Sequence, residues 1–206
     1  HYSYTSYVPG DEWKKVNLPH DWSVGLPYDS ISGEGCVAFL QGGIGWYSKS
    51  FPTTISANQK CYIVFDGVYN NSEYWINGKK LGYHPSGYAP FYFDVTDYLN
   101  PNEDNRMTVR VDHSHYADSR WYTGSGIYRD VKMIVTDRLH IPVWGTFVTT
   151  PVVTDKYAKV NNQVTVCNSY SEPRAAVVEV VYKDNKGKIA GFEVFSIKLN
   201  AGEEKI

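Results

Sequence analysis

Short runs of β-type residues, separated by turn signals every 8–12 residues, dominate the chain after an irregular, turn-rich start over residues 1–50. Helical periodicity is almost absent, so the pattern predicts an antiparallel β-sandwich. The predicted strands of this block are 46–51, 60–65, 72–76, 80–83, 91–95, 107–112 and 129–135.

Three of these predictions carry more detail. Residues 60–65 are almost continuously apolar, which predicts a strand buried on both faces. Met107, Val109 and Val111 alternate with polar residues and should share one face. Asn77-Gly78 predicts a type I′ hairpin turn, because both residues tolerate positive φ.

The pattern changes near residues 139–142, where aromatic density falls and valine becomes frequent. We therefore predict two domains, a jelly-roll sandwich over residues 1–139 and an immunoglobulin-like sandwich over 140–206. An immunoglobulin-like sandwich needs about seven strands and 100 residues, and only about 65 residues remain, so the second domain is expected to be truncated. Its predicted strands are 143–151, 163–168, 175–182 and 192–199, with a hairpin loop at 184–188.

Composition narrows the function classes. Of the 206 residues 16 % are aromatic, including 18 Tyr and 6 Trp, and such rings pack in sheets or stack on sugars. The net charge of −2 and the absence of a basic stripe argue against nucleic acid and membrane surfaces as partners. No membrane helix or signal peptide is recognisable. A leader removed before His1 would leave the cellular address open, with a periplasmic or secreted location slightly favoured.

The three cysteines, Cys36, Cys61 and Cys167, are widely spaced and form no C-x-x-C pair, which argues against a zinc site. No disulfide pairing can be read from the sequence. We expect three buried or half-buried thiols.

No catalytic constellation is evident. His113 and His115 would project to the same side of a strand, but no third metal ligand is indicated, and a polar strand end near a site is the preferred interpretation. The chain has no G-x-S-x-G or H-E-x-x-H motif and no phosphate-binding loop, and no pair of carboxylates can be assigned acid and nucleophile roles. The residues alone indicate a carbohydrate-binding module or an accessory domain.

Six motifs, in order over about 120 residues, give a sharper indication. The chain resembles glycoside hydrolase family 2, and more specifically its β-galactosidases. The motifs are L-P-H-D-W at 18–22, G-G-I-G-W-Y-S-K-S-F at 42–51, F-D-G-V at 65–68, W-I-N-G-K-K-L-G at 75–82, Y-A-P-F-Y-F-D-V at 88–95 and S-R-W-Y-T-G-S-G-I-Y-R-D-V at 119–131.

The resemblance implies a first domain that shapes the galactosyl pocket above a (β/α)₈ barrel, which carries the acid/base and nucleophilic glutamates of a retaining mechanism. That barrel does not occur within 206 residues, so no catalytic residue is assigned and this chain alone should be inactive. A β-glucuronidase or β-mannosidase, a stand-alone carbohydrate-binding module and an adhesion or structural sandwich remain as alternatives.

Two positions are implied to reach the sugar, Tyr69 after F-D-G-V and Arg120 before Trp121, with Asp118 and Trp121 as weaker candidates. Relatives often have an acid at the position of Arg120, so the sugar preference stays open. The structural alternatives are a packed ring for Tyr69, a core ring for Trp121 and an ordinary surface residue for Arg120. No cofactor is expected in this chain, and a divalent metal elsewhere in the full-length enzyme stays an open alternative. The expected partners are a β-galactoside, the enzyme's own barrel and further copies of the enzyme.

Overall fold

The computed structural model describes residues 2–3, 7, 9–31, 35–115 and 119–206. The chain forms two compact units, His1–Val135 (unit 1) and Thr136–Ile206 (unit 2). Strands and three short 3₁₀ turns make up the regular structure of the described residues, so the predicted all-β fold is confirmed. Within those residues no helix has the length and apolar character needed to cross a membrane.

The described residues of unit 1 form seven strands, which match the predicted runs to within a few residues. The 3₁₀ turns lie at Ser23–Gly25, Gly35–Val37 and Thr96–Tyr98. The strands are β1 Gly43–Pro52, β2 Gln59–Phe65, β3 Ser72–Ile76, β4 Lys79–His84, β5 Phe91–Asp94, β6 Asp104–His113 and β7 Val131–Asp137, whose last two residues belong to unit 2.

Two sheets form the sandwich of unit 1. The first has the strand order β1-β6-β3-β4 and the second the order β5-β2-β7. Tyr74 of β3 joins them, because its ring lies 4.8 Å from that of Phe65 and 5.3 Å from that of Phe91. All five residues from Cys61 to Phe65 are buried, as are Met107, Val109 and Val111. The continuous apolar run at 60–65 therefore predicted a buried strand correctly, and the alternation at 107–111 predicted the buried face of β6.

Asn77-Gly78 forms the predicted turn between β3 and β4, with φ values of +49° and +78°. Asn77 also contacts chain far from the turn. Its Oδ1 accepts a hydrogen bond from the Arg106 amide at 2.9 Å. Its Nδ2 donates to the Tyr98 carbonyl at 3.0 Å and to Oδ1 of the fully buried Asn105 at 2.6 Å. The turn is thereby attached to β6 and to the loop that precedes it.

Unit 2 consists of three small sheets. Its strands are β8 Leu139–His140, β9 Thr146–Val153, β10 Ala158–Val164, β11 Val166–Asn168, β12 Arg174–Lys183, β13 Ile189–Leu199 and β14 Glu204–Lys205. The sheets are the pair β9–β10, the hairpin β12–β13 and a sheet with the order β14-β11-β8. Val166, Asn168 and Leu199 are buried, whereas Val177 and Phe192 of the β12–β13 hairpin are 68 % and 66 % exposed.

Two predictions for the chain were wrong. Residues 163–168 are not one strand, because β10 ends at Val164 and β11 begins at Val166. The amide of Thr165 between them donates to the Gly145 carbonyl at 2.7 Å instead of continuing a ladder. Cys36 is exposed in its 3₁₀ turn, whereas Cys61 is buried and Cys167 is half-buried, as expected.

Candidate functional site

The L-P-H-D-W segment lies against the S-G-I part of the segment at 119–131. The His20 amide donates to the Ile127 carbonyl at 2.8 Å, and the Trp22 amide donates to the Ser125 carbonyl at 3.0 Å. The Tyr47 hydroxyl lies 2.9 Å from Nδ1 of His20. Two motifs about 100 residues apart in sequence therefore form one local structure.

Asp21 fixes the glycine-rich loop that follows Arg120. Its Oδ1 accepts the amides of Ser23 at 2.9 Å and Ser125 at 3.0 Å, and its Oδ2 accepts the Tyr122 hydroxyl at 2.5 Å. Burial and the neighbouring carboxylate raise the pKa of Tyr122, which therefore stays protonated and donates. A β-carbon on Gly124 would lie 2.9 Å from this carboxylate, and Gly124 has φ +77°, so glycine suits the position on both counts.

Behind Asp21 lies a buried polar chain. The Oγ atoms of Ser23 and Ser125 are 2.6 Å apart, and both residues are buried. Ser23 also donates to the Gln41 carbonyl at 2.6 Å, and Nδ1 of His113 lies 2.8 Å from Oγ of Ser125. His113 is thus a strand-end histidine beside the site, as interpreted from the sequence. Within the described residues no group of His, Cys, Asp and Glu side chains could hold a metal ion.

Tyr69 lies at the centre of this end of the sandwich and is only 3 % exposed. Its amide and carbonyl exchange hydrogen bonds of 2.9 Å with Gly126. Its ring contacts those of His113 and Tyr88 edge-on, with centroids 5.0 and 5.5 Å apart. A β-carbon on Gly87 would lie 2.0 Å from the Tyr69 ring, so Gly87 provides the space that this ring occupies. Tyr69 is therefore a packed ring, which is the structural alternative given for it from the sequence.

Trp121 and Arg120 occupy the outer edge of the same region. Trp121 is 59 % exposed and is not a core ring, so that structural alternative was wrong. Its indole donates to the Tyr88 hydroxyl at 3.1 Å. Arg120 is exposed, and its guanidinium makes no hydrogen bond or ion pair with the part of the chain that the structure describes. Asp118 lies outside the described residues.

We call Tyr69, Tyr88, Arg120 and Trp121 the aromatic rim. Tyr88 connects its two other rings, one packed and one exposed, and was not singled out from the sequence. Its Y-A-P-F motif carries no periodic signal that distinguishes a site residue from a loop residue. Asp21 was interpreted as fixing the N-terminal arm, and it also holds the loop next to the rim.

Exposed rings and hydrogen-bonding groups on the loops at one end of a rigid β-sandwich form the usual arrangement of a binding site. Comparison with known proteins agrees. Residues 31–137 match the family model described as the sugar binding domain of glycosyl hydrolases family 2. The chain belongs to glycoside hydrolase family 2.

The individual relatives include both a beta-galactosidase and a beta-glucuronidase. It is 39 % identical to the beta-galactosidase BoGH2A of Bacteroides ovatus over 199 residues, 95 % of this chain and 23 % of the relative. It is 29 % identical to a beta-glucuronidase of Bacteroides fragilis, covering 90 % of this chain and 27 % of the relative. A family 2 structure from Bacteroides cellulosilyticus superposes with a TM-score of 0.89 at 33 % identity, covering 97 % of this chain and 27 % of that one. The chain thus spans about a quarter of the length of these relatives.

Proposed function

We propose that this chain is the non-catalytic N-terminal region of a retaining family 2 glycosidase that hydrolyses terminal β-galactosides. In this proposal residues 1–139 are the sugar-binding domain, and the aromatic rim is one wall of the pocket for the terminal sugar. A (β/α)₈ barrel elsewhere in the enzyme supplies the acid/base and the nucleophile. The similarity to a beta-galactosidase over 95 % of the chain supports this proposal.

The observation that carries the role of the rim is the combination of a packed ring, an exposed ring and an exposed cation. Tyr69 and Tyr88 give Trp121 a fixed support, so an apolar sugar face can stack on the exposed indole without first ordering it. Arg120 offers five donors beside it for sugar hydroxyls or for a carboxylate of the barrel.

A β-glucuronidase is the second candidate, and Arg120 favours it. An exposed guanidinium next to a sugar-stacking ring could pair with the carboxylate of a glucuronosyl residue. A putative beta-glucuronidase of Formosa agariphila is 41 % identical over 144 residues, 68 % of this chain and 14 % of that protein.

Two assays test the proposal. The chain alone should not hydrolyse nitrophenyl β-galactoside at high protein concentration, and turnover abolished by a substitution within the chain would refute a non-catalytic role. The full-length enzyme should have a higher kcat/KM for nitrophenyl β-galactoside than for nitrophenyl β-glucuronide. The reverse order would select the second candidate, and sugar binding without hydrolysis by either protein would select a stand-alone binding module.

A further inference from the structure

An apolar groove opens into the core of unit 1 between β1 and β7, and Val16, Asn17 and Leu18 of the N-terminal arm also line it. It has a volume of about 450 Å³. Its floor is formed by Ile63 and Phe65 of β2 and by Met107 and Val109 of β6, which belong to the two opposing sheets. We call it the β1–β7 groove. A sugar is a poor occupant, because a floor of core side chains leaves hydroxyl groups without hydrogen bonds.

Both strands that border the groove are sheet edges. Among the described residues β1 pairs with β6 alone and β7 with β2 alone, so a four-stranded sheet faces a three-stranded one. On β7 three consecutive residues, Val131, Lys132 and Met133, line the groove, and Met133 is 49 % exposed. An apolar edge of this kind is a template for another strand.

We propose that the β1–β7 groove is the seat of a further β-strand, supplied by the same polypeptide from outside residues 1–206, that pairs with the free edge of β7. The strand would extend the three-stranded sheet and insert alternate large apolar side chains between the sheets. A cavity of 150 Å³ accommodates benzene, so the groove has room for about three such side chains, which five or six residues of strand provide.

The length of the relatives indicates that the same polypeptide supplies the strand. This inference rests on the proposed function, in which the chain is one region of a longer enzyme; its matched relatives are about four times as long. A segment of the same polypeptide has an effective concentration at the groove of the order of millimolar. A separate protein would need a solution concentration that high to compete with it.

The two methionines of the sequence, Met107 and Met133, both line the groove and serve as probes. Peroxide oxidation followed by peptide mass spectrometry should modify half-exposed Met133 quickly in the 206-residue chain and the buried Met107 slowly. In the full-length polypeptide Met133 should be oxidised about tenfold more slowly, because the added strand covers it. Equal Met133 rates in the two proteins would overturn the proposal. Protection in the 206-residue chain that increases with its concentration would also overturn it, by showing that a second copy occupies the groove.

A charge substitution gives an independent measurement. M133D should change the melting temperature of the 206-residue chain little but lower that of unit 1 in the full-length polypeptide, where the charge would be buried. I31D is the matched control, since Ile31 is 96 % exposed and does not line the groove; it should have the same small effect in both proteins. Equal effects of M133D in the two proteins would contradict the proposal. Neither readout depends on catalysis. Protection of Met133 in a full-length polypeptide that does not hydrolyse glycosides would therefore contradict the proposed function but support the added strand.

Discussion

The carboxylate of Asp21 accepts the backbone amide of Ser125 at 3.0 Å across 104 positions of sequence. The same carboxylate accepts the Tyr122 hydroxyl, so one side chain holds both ends of the W-Y-T-G-S-G turn. The position of Trp121, and with it the aromatic rim, depends on an aspartate in another motif.

Asp21→Ala should therefore lower the free energy of unfolding of unit 1 by about 2–4 kcal/mol, because two amides lose their acceptor. Urea unfolding followed by tryptophan fluorescence measures this change. Asp11→Ala is the control, since Asp11 is an exposed aspartate of the same N-terminal arm. A common midpoint for the two variants would mean that the Asp21 carboxylate does not stabilise the loop.

Gly87→Ala should destabilise unit 1 by about 1–3 kcal/mol, the usual cost of overpacking. The added β-carbon would lie 2.0 Å from the Tyr69 ring and would displace it from Tyr88 and His113. Gly25→Ala is the matched control, because a β-carbon there meets nothing within 4 Å. Thermal unfolding of both variants checks the expectation, which fails if their melting temperatures agree.

The cysteines should differ in reactivity. Burial raises the pKa of the Cys61 thiol to about 11, so at pH 8 it is protonated as well as inaccessible. Iodoacetamide should label exposed Cys36 in the native protein and reach Cys61 only after unfolding in urea. Labelling followed by peptide mapping, with Cys36→Ser as the control, tests this. Modification of Cys61 in the native state at the rate of Cys36 would contradict the structure.

The Asp94–Lys60 ion pair should make stability depend on acid pH. Burial alone would raise the pKa of Asp94, but hydrogen bonds from Lys60 and Thr96 outweigh it and hold that pKa below its ordinary value. A lowered pKa in the folded state stabilises the fold above the unfolded value of about 3.9, and this contribution is lost as the pH falls through the folded value.

Asp94→Asn should thus be less stable than the parent at pH 7, and the difference should shrink as the pH falls below about 4. Asp97→Asn, at an exposed position of the neighbouring 3₁₀ turn, is the matched control for the removal of a surface carboxylate. Urea midpoints between pH 7 and pH 2.5 provide the measurement, and a constant difference for Asp94→Asn would be the contrary result.

Arg120→Ala should leave the melting temperature of this chain nearly unchanged, since exposed substitutions usually cost within about 0.5 kcal/mol. In the full-length enzyme it should lower kcat/KM by roughly tenfold to a thousandfold, the scale of one or two lost charged hydrogen bonds. A lower melting temperature of the chain with unchanged catalysis would make Arg120 a structural residue.

The sequence predicted most of unit 1 because its strands carry local signals. β3 spans the predicted run 72–76, and Asn77-Gly78 carries its own turn chemistry. Unit 2 was predicted less well. Val164 and Val166 look like one strand, but β10 pairs with β9 while β11 pairs with β14 and β8. Where a strand breaks then depends on distant partners, which a local pattern does not contain.

The candidate site divides in the same way. Arg120 and Trp121 belong to a motif with a recognisable order of residues, but the hydrogen-bond partner of Trp121 is Tyr88, 33 positions away. Apolar composition alone favours a core position for any tryptophan, and this is why the structural alternative for Trp121 was wrong. The role of Asp21 in the loop could not be predicted for a related reason, since its partners Tyr122 and Ser125 lie 101 and 104 positions away in sequence.

The hydrogen bonds of the Asn77 side chain limit which residues the turn between β3 and β4 can accept at this position. Backbone geometry alone would accept Asp-Gly or Gly-Gly there. Asn77, however, uses its carboxamide as acceptor for the Arg106 amide and as donor to the Tyr98 carbonyl and to Asn105. Aspartate would set a carboxylate against two oxygen acceptors, and glycine would leave Asn105 short of a donor in a fully buried position. Residues that usually replace one another in type I′ turns are therefore not equivalent at position 77, because the side chain there must both accept and donate hydrogen bonds, as a carboxamide does.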